Sequence, residues 1–328
     1  MGIRIGGVGS YVPNRVVTNH ELASCIDTSH AWIVSKTGIL ERRIADPSEA
    51  PSDMACEAAR RCLTDAALDG SAVDLIVVAC ATPDQSQPAV ACLVQEKLGI
   101  AEKQCPAFDV NSVCAGFVFA LDVAQSMMLA SPSRYRHALV IGTDAFSRIL
   151  NWQDRQTCIF FGDGAGAVLL TQTEEERRIQ FRLGSDGRGS RFIRVPAGGT
   201  RVPVSQEVLV ERTNTFMMDG PRVWDFAVDT VPRAIRSLLH EHDLTPADVD
   251  LLILHQSNLR MIEAIVQSLG LSMQQTVTTI AKYGNMAAAS IPVTLDAARV
   301  QGHLCPGSRV VLCGFGGGLS WGAALLDW

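Results

Sequence analysis

The chain has 328 residues, of which 47% are hydrophobic and 19% charged, and its net charge is −6. This length and apolar content allow a large core, and charges spread along the chain argue against long disordered segments. The absence of a Lys/Arg-rich run excludes an extended nucleic-acid-binding surface. No apolar stretch predicts a membrane span, and the opening residues lack the layout of a signal peptide. We therefore expect a cytoplasmic protein with no nucleic-acid or membrane partner.

Ten cysteines are scattered along the chain, and none belongs to a CxxC pair. The spacing typical of zinc ligands is therefore absent, and we expect no metal site. In a large chain without a secretion signal, reduced thiols are the default. Most of these cysteines are expected to be small buried residues of the core.

The first predicted elements are a helix over 58–72, "AARRCLTDAALDGSA", and a buried strand over 73–78, "VDLIVV". A short strand, "PAFDV" at 106–110, precedes a buried helix, "AGFVFALDVAQSMMLA" at 115–130. Cys114 stands at the turn between this strand and this helix. Unpaired amides and the helix dipole favour a thiolate at a helix N-terminus, so Cys114 is a candidate nucleophile.

The second part of the chain repeats this order of elements. "VDLLIL" at 249–254 again follows an amphipathic helix and a polar turn, 176 positions after "VDLIVV". "RHALVIGTDAF" at 136–146 matches "GSRVVLCGFGG" at 307–317 at an offset of 171. Applied to Cys114, the offset of 171 leads to Asn285 in "YGNMAAASIPVTL", another turn followed by a predicted helix.

The repeat predicts two similar α/β halves packed together, residues 1–171 and 172–328, joined by the charged segment 171–178. Continuous apolar strands predict parallel sheets that are buried on both faces. Sites in such folds form at the carboxyl ends of strands. His255 directly follows an apolar strand, so Cys114, His255 and Asn285 are expected to face one crevice.

The glycine-rich segment "GFGGGLSWG" at 314–322 predicts a tight turn or backbone amides that approach a ligand, as in an oxyanion hole. Cysteine, histidine, asparagine and a glycine loop also occur together in thiol proteases, but on a different scaffold. The doubled α/β halves therefore favour an acyl-handling thiol enzyme.

An ordered set of motifs extends this interpretation over nearly the whole chain: "GVGSYVP", "WIVSKTGILERR", "CAGFVFAL", "GDGAGAVLL", "PAGG", "HQSNLR", "YGNMAAAS" and "GFGGGLSWGAAL". In these motifs the chain resembles the β-ketoacyl-acyl carrier protein synthase III family of thiolase-like condensing enzymes. The resemblance implies an α/β thiolase-like fold of two pseudo-repeated halves, arranged in five α-β-α-β-α layers, and a homodimer.

The resemblance also implies a mechanism and its residues. Cys114 would take an acyl group from a coenzyme A thioester. His255 and Asn285 would stabilise the enolate that forms when malonyl-acyl carrier protein, or malonyl-coenzyme A, loses carbon dioxide. The backbone amides of Cys114 and Gly317 would form the oxyanion hole. Acyl-coenzyme A is then a substrate, acyl carrier protein a partner, and no cofactor is permanently bound.

By the same resemblance, Trp32, Arg155 and Asn258 are expected to bind coenzyme A. The indole of Trp32 would stack on the adenine, with Arg155 on the opposite face. Arg260 in "HQSNLR" is expected to contact the acidic carrier protein.

Four residues are expected to line the acyl pocket or its entrance channel: Gln87, Met218, Trp224 and Met286. Family members that start ordinary fatty-acid synthesis commonly have a phenylalanine where "PDQSQPA" has Gln87, which suggests a wider pocket or a polar acyl group here. "GNMAAAS", with Met286 where those members often have threonine, resembles a specialised branch that makes alkylquinolones.

Two other functions stay open at this point. The chain could pass its acyl group to an oxygen or nitrogen acceptor, a reaction in which Asn285 is less necessary. It could also be a non-catalytic partner subunit of a synthase, although a scaffold has no use for the complete set of Cys114, His255 and Asn285.

Overall fold

The computed structural model of the chain describes residues 2–328. The helices of this part are α1 (Asn19–Ala23), α2 (His30–Thr37), α3 (Pro51–Asp65), α4 (Val90–Lys97), α5 (Gly116–Ala130), α6 (Gln206–Glu211), α7 (Gly220–His240), α8 (Leu259–Ser268), α9 (Ile280–Tyr283) and α10 (Ser290–Val300). The strands are β1 (Gly2–Tyr11), β2 (Arg15–Thr18), β3 (Glu41–Ile44), β4 (Leu75–Ala79), β5 (Ala107–Val110), β6 (His137–Ala145), β7 (Asp163–Thr173), β8 (Gln180–Ser185), β9 (Ile193–Arg194), β10 (Met217–Met218), β11 (Leu251–Leu254), β12 (Arg309–Gly316) and β13 (Ser320–Asp327).

Two mixed sheets form the framework. The first has the strand order β1-β7-β6-β4-β5, and the second has the order β11-β12-β13-β8. The strands predicted from apolar runs correspond to β4, β5, β6, β11 and β12. The expectation of parallel sheets was only partly right, since β7 and β13 run antiparallel to their neighbours. The chain passes from β6 to β7, and from β12 to β13, without a crossover helix, and the second strand of each pair therefore runs back along the first.

Three layers of helices separate and cover the sheets. Helices α3 and α4 pack on the outer face of the first sheet, and α7 and α8 cover the outer face of the second. Helices α5 and α10 lie between the two sheets and contact strands of both. The predicted five-layered α-β-α-β-α arrangement is confirmed. The first sheet takes its strands from residues 2–173 and the second from residues 180–327, while the division at 171/172 stays a prediction.

Small residues bring the first outer layer close to its sheet. Helix α3 begins with Pro51, and the Asp53 carboxylate accepts the Ala50 backbone N–H at 2.9 Å, which caps the first turn. Alanines and Cys62 form its buried face. A Cβ atom at Gly9 of β1 would lie 2.3 Å from the Cys62 backbone nitrogen, so this packing requires glycine.

Helix α5 explains the longest apolar segment of the chain. By length and composition alone, 113–130 could cross a membrane, so the expectation that no apolar stretch reaches this size was wrong. In the structure, Phe117, Leu121 and Met128 of this helix have no exposed surface and belong to the central core between the sheets. The apolarity is therefore explained by burial between two sheets.

Matching turns precede the two central helices. Each consists of an asparagine, a residue with positive φ two positions later, and a 3-10 turn that leads into the helix. Val113 (φ 46°) precedes α5, and Ala287 (φ 45°) precedes α10. This match places Asn285 opposite Asn111, at an offset of 174, and corrects the sequence comparison that placed Asn285 opposite Cys114.

Candidate active site

Cys114 lies in the 3-10 turn that joins β5 to α5, and only 7% of its surface is exposed. The side-chain oxygen of Asn111 accepts the Val113 backbone N–H at 3.2 Å. Val113 has a φ of 46°, a strained conformation for a β-branched residue. Such strain persists only where the surroundings hold it, and it is frequent at functional sites. The turn presents the Cys114 thiol to the cavity described below.

Burial and the Asp144 carboxylate raise the pKa of the Cys114 thiol above its ordinary value. The sequence argument predicted the opposite, because it considered only the helix N-terminus. In the structure, loss of water around the sulfur opposes ionisation more strongly than the helix amides favour it. The free protein therefore holds Cys114 as a thiol at neutral pH, and a nucleophilic role would require loss of its proton during the attack.

His255 follows β11, and its backbone N–H donates to the Cys313 carbonyl at 2.8 Å. Its ring forms a T-shaped contact with the ring of Phe315, with centroids 5.4 Å apart. Burial lowers the pKa of His255 to about 3. The imidazole is therefore neutral at physiological pH, and it can donate one hydrogen bond and accept another.

This buried imidazole makes stability depend on pH. As pH falls through 6.5, the ordinary pKa, the unfolded chain binds a proton at His255 that the folded chain does not bind, so stability is lost on acidification. The free energy of unfolding of the wild type minus that of His255→Asn should fall by about 2 kcal/mol from pH 7.5 to pH 5. Urea unfolding at several pH values measures this difference. If this difference in the free energy of unfolding did not change with pH, His255 would bind a proton in the folded protein as readily as in the unfolded chain.

Asn285 comes from the second half of the chain but is held by the first. Its backbone N–H donates to the Phe160 carbonyl at 2.8 Å, and its carbonyl accepts the Gly162 N–H at 3.0 Å. Its side-chain oxygen accepts the Ala287 N–H at 2.9 Å, and Nδ2 has no protein acceptor within residues 2–328. This arrangement fixes the amide with Nδ2 as the free donor.

Cys114, His255 and Asn285 line one cavity of about 340 Å³. Its walls are mainly apolar and come from both halves and from the β9–β10 ribbon, with Phe160, Phe161, Ile193, Phe216, Met218, Val223, Trp224, Met261 and Phe315 among them. The predicted convergence of the three side chains on one site is therefore present in the structure. Their catalytic roles stay predictions.

The glycine loop packs directly on Cys114. A Cβ atom at Gly316 would lie 2.9 Å from Cβ and 3.1 Å from Sγ of Cys114, so only glycine fits there. Gly317 follows, and within residues 2–328 neither its backbone N–H nor that of Cys114 donates to another backbone group. Both amides are therefore available for an oxyanion, as a hole of this kind requires.

Trp32, Arg155 and Asn258 lie at the mouth of the cavity. The Arg155 guanidinium stacks on the Trp32 indole, 5.2 Å from its ring centroid, and donates to the Asp27 carbonyl at 2.7 Å. Asn258 caps α8 through its side-chain oxygen, and its Nδ2 donates to the Lys36 carbonyl at 3.1 Å. The mouth thus combines a cation–aromatic stack with polar amide groups.

Only some of the residues predicted for the acyl pocket line the cavity. Met218 and Trp224 line the cavity, whereas Gln87 is exposed in the loop before α4. Met286 was expected in the pocket but does not line the cavity, because its side chain packs into a separate apolar cluster with Ala289, Val293, Val12 and Tyr283, where it is fully buried. Arg260 is exposed and paired with Glu263 at 3.0 Å.

Several residues of the site were not predicted from the sequence. Phe146 and Phe161 stack with centroids 4.7 Å apart, Phe216 meets both in T-shaped contacts at 5.5 and 4.9 Å, and all three share an apolar cluster with Cys114. No local pattern brings together aromatic residues so far apart in the chain. Lys36 adds a cation at the mouth. Asp144 was detectable as the single acid inside the apolar strand "LVIGTDA". Residues 2–328 contain no cluster of acidic, histidine and cysteine side chains suited to a metal ion.

Two family models match the chain. The model described as 3-oxoacyl-[acyl-carrier-protein] synthase III matches residues 108–187, and the model of its C-terminal part matches 239–328. The chain is 44% identical over 329 residues to a β-ketoacyl-[acyl-carrier-protein] synthase III of Desulfitobacterium hafniense, covering 100% of this chain and 98% of the relative. It is 44% identical over 325 residues to the protein of that name from Neisseria meningitidis, covering 99% of each.

A solved structure shows the same architecture. The crystal structure of 3-oxoacyl-(acyl carrier protein) synthase III from Pseudomonas aeruginosa has a TM-score of 0.91 and 38% identity, covering 100% of this chain and 98% of that one. Identity of this size over the full length shows descent as well as fold. The chain therefore belongs to the 3-oxoacyl-[acyl-carrier-protein] synthase III family of condensing acyltransferases.

Proposed function

We propose that Cys114 accepts an acyl group from acyl-coenzyme A and that this group then condenses with malonyl-acyl carrier protein. The observation that carries the proposal is the opening of Cys114, His255 and Asn285 into one largely apolar cavity. The net reaction consumes one proton and releases free coenzyme A, carbon dioxide and a β-ketoacyl thioester.

In the loading step, Cys114 Sγ attacks the thioester carbonyl and coenzyme A leaves as the thiol, which takes the proton that Cys114 loses. Burial keeps the ring of His255 neutral, so one ring nitrogen has a free lone pair through which this proton would pass to the coenzyme A sulfur, while the lowered pKa of His255 disfavours a lasting imidazolium. The carbonyl oxygen becomes negative in the tetrahedral intermediate. The amides of Cys114 and Gly317 would donate to it.

In the condensing step, the bond between the malonyl carboxylate and Cα breaks, and its electron pair forms an enolate. A hydrogen of the neutral imidazole and Nδ2 of Asn285 would stabilise the enolate oxygen. The enolate carbon then attacks the acyl carbonyl, a carbon–carbon bond forms, and Cys114 leaves as a thiolate that takes up a proton. Two neutral donors suit an oxygen whose charge grows during the step.

The mouth of the cavity supports binding of coenzyme A. Its adenine would insert between Trp32 and Arg155, whose long side chain can swing outward, and Lys36 would attract the phosphates. Asn258 and the backbone of α2 would contact the pantetheine arm.

Trp32→Ala is expected to raise KM for acyl-coenzyme A by about tenfold with little change in kcat, because base stacking contributes about 1–3 kcal/mol to binding. Steady-state kinetics measure this split. Acyl-pantetheine, which lacks the adenine, is the matched control and should show no change in KM. An equal rise in KM for both donors would remove Trp32 from adenine binding.

The inner walls favour an apolar acyl group of limited size. The mutually packed rings of Phe146, Phe161 and Phe216 fill space beside Cys114, and the charged lining residues, Lys36 and Arg155, lie at the mouth. Gln87 is exposed and does not line the cavity of its own chain. It could line an acyl pocket only in a homodimer, where it would reach the cavity of the second copy.

The remaining parts of the proposal concern partners and setting. Acyl carrier protein would dock near the exposed Arg260. A homodimer is supported by the half-exposed edge strand β5 of the first sheet. All ten cysteines are free, which agrees with a reducing cytoplasm. Residues 1–171 and 172–328 would form the two halves, and no cofactor would be permanently bound.

Mixing the protein with acyl-coenzyme A and malonyl-acyl carrier protein tests the function. Mass spectrometry should detect a β-ketoacyl group on the carrier, with one carbon dioxide released per product. A parallel reaction with malonyl-coenzyme A shows whether the second substrate must be carrier-bound. An enzyme that is acylated at Cys114 but yields no carbon dioxide or β-keto product with either donor would contradict condensation.

A further inference from the structure

A buried carboxylate lies next to the proposed site without a role in the mechanism above. Asp144, near the end of β6, has no exposed surface, and no cation pairs with it within residues 2–328. Burial raises the pKa of Asp144 to about 6, against the opposing effect of its hydrogen-bond donors. An unpaired buried charge is costly, so its presence calls for a physical reason.

The carboxylate joins the two halves of the molecule. Oδ1 accepts the Ala81 N–H at 2.9 Å and both the N–H and the hydroxyl of Thr82 at 3.0 and 2.8 Å, all from the loop after β4. Oδ2 accepts the Ala288 N–H at 3.0 Å, which belongs to the turn after Asn285. Oδ1 thus accepts three N–H and O–H donors, with the Cys80 thiol 3.8 Å away as a further weak donor, and Oδ2 accepts one.

This second contact holds a strained turn. Ala287 has a φ of 45°, a conformation that costs free energy for a residue with a Cβ atom. Its own N–H is held by Asn285 Oδ1, and the next N–H is held by Asp144 Oδ2. The two contacts together determine how the turn is held and where Nδ2 of Asn285 points.

We propose that Asp144 is a positioning residue whose carboxylate aims the Asn285 amide for condensation, while its negative charge opposes ionisation of Cys114. This inference rests on the proposed function. It assigns opposite effects to one group: Asp144 assists the condensing step and restrains the nucleophile of the loading step.

The electrostatic part follows from the groups around the carboxylate. The titratable side chains near it are the thiols of Cys80, 3.8 Å from Oδ1, and of Cys114, whose turn 113–115 packs on the turn 287–289 that Asp144 holds. The charge of Asp144 raises the pKa of both thiols. His255, which shares the cavity with Cys114, is neutral and does not offset this charge. Removal of the charge should therefore make Cys114 ionise more readily.

Asp144→Asn separates the two effects with almost no change in shape. Three donors converge on Oδ1, so the amide oxygen must take that position and the NH₂ group must face the Ala288 N–H. Two donors then meet, and the contact that holds the Asn285 turn is lost. The buried charge is lost as well.

Two half-reactions and one titration test the proposal. In Asp144→Asn, discharge of acylated Cys114 by malonyl-acyl carrier protein should slow about 10- to 100-fold, a cost typical of small misplacements. Acyl loading from acyl-coenzyme A should not slow. The pKa of Cys114, measured from iodoacetamide alkylation against pH, should fall by about one unit.

Asp163→Asn is the matched control. Asp163 is also fully buried, and it accepts the Ala45 N–H and the Ser147 N–H and hydroxyl at 2.6 to 2.9 Å. Its carboxylate forms no hydrogen bond with the Cys114 turn or with the turn after Asn285, although the backbone of its neighbour Gly162 donates to the Asn285 carbonyl at 3.0 Å. Thermal unfolding of Asp163→Asn measures how much stability is lost when a buried carboxylate is replaced by an amide. Its rates of acyl loading and condensation and the pKa of Cys114 should match those of the wild type. The proposal would be overturned if Asp144→Asn slowed acyl loading and condensation equally. It would also be overturned if Asp163→Asn, like Asp144→Asn, slowed condensation alone.

Thr82→Val provides a second test of the role of Asp144 if Asp144→Asn does not fold. Because three N–H and O–H donors surround Oδ1, protonation of Asp144 is favoured on Oδ2, where the neutral hydroxyl holds the Ala288 N–H more weakly than the carboxylate does. In the wild type, condensation but not loading should therefore decline as pH falls through about 6. Loss of the Thr82 hydroxyl should move this decline to higher pH, and an unmoved decline would overturn the proposal.

The tests distinguish failure of this inference from failure of the proposed function. A wild-type protein that forms no β-ketoacyl product refutes the function, and with it the positioning role. The alkylation pKa then still decides the electrostatic role, because that measurement needs no substrate. An unchanged thiol pKa in Asp144→Asn overturns that part whatever the reaction is.

Discussion

Cys114→Ala should abolish covalent loading by acyl-coenzyme A. Intact-protein mass after mixing with acetyl, octanoyl, succinyl and anthraniloyl thioesters should show one added acyl group per wild-type chain and none on the variant. The reason is that only a thiol in the cavity can exchange with a thioester sulfur, and Cys114 is the one cysteine among the residues that line it. Apolar and compact acyl groups should load best, because the Phe146–Phe161–Phe216 cluster borders the cavity.

Cys313→Ala is the control for this experiment. Cys313 is fully buried in β12, and burial raises the pKa of its thiol to about 12. Its carbonyl holds the His255 backbone, but its side chain is not needed for that contact. The control should load as the wild type does. An adduct that persists in Cys114→Ala, or disappears in Cys313→Ala, would contradict the assignment of the nucleophile.

Asn285→Asp should slow condensation by about 10²- to 10³-fold and leave acyl loading nearly unchanged. The substitution keeps an oxygen that accepts the Ala287 N–H, so the turn is retained, but it replaces the donor Nδ2 with a second acceptor. An enolate oxygen would then face a negative charge where it needs a hydrogen-bond donor. Rapid mixing of acylated enzyme with malonyl-acyl carrier protein measures the condensing step separately from loading.

The same variant distinguishes condensation from simple acyl transfer. Transfer to an oxygen or nitrogen acceptor forms no enolate, and it would continue in Asn285→Asp. Asn285→Ala, which loses both the donor and the contact with Ala287, should slow condensation at least as much. A discharge rate that is unchanged in both variants would exclude Asn285 from the reaction.

The two asparagine turns show why a repeat found in the sequence can mislead. Strand similarity alone placed Asn285 opposite Cys114, yet backbone conformation pairs Val113 with Ala287 and Asn111 with Asn285. The loops between matched elements differ in length between the halves, so no single offset holds along the chain. The cavity contains the predicted asparagine, but the equivalence used to find it was wrong.

The amino-acid sequence by itself determined which segments are strands and central helices, because "VDLIVV", "VDLLIL" and the Cys114 helix are apolar runs bounded by turn residues. It also selected Cys114, His255 and Asn285 as candidates, since each stands at the end of an apolar segment or in a turn, and the three line one cavity in the structure. Only the tertiary structure decided the mixed sheets, the exclusion of Met286 from the cavity, the phenylalanine cluster and the four contacts of Asp144. These features depend on side chains far apart in the chain that meet through packing, and burial, which sets the pKa of Cys114 and His255, exists only once the halves have packed.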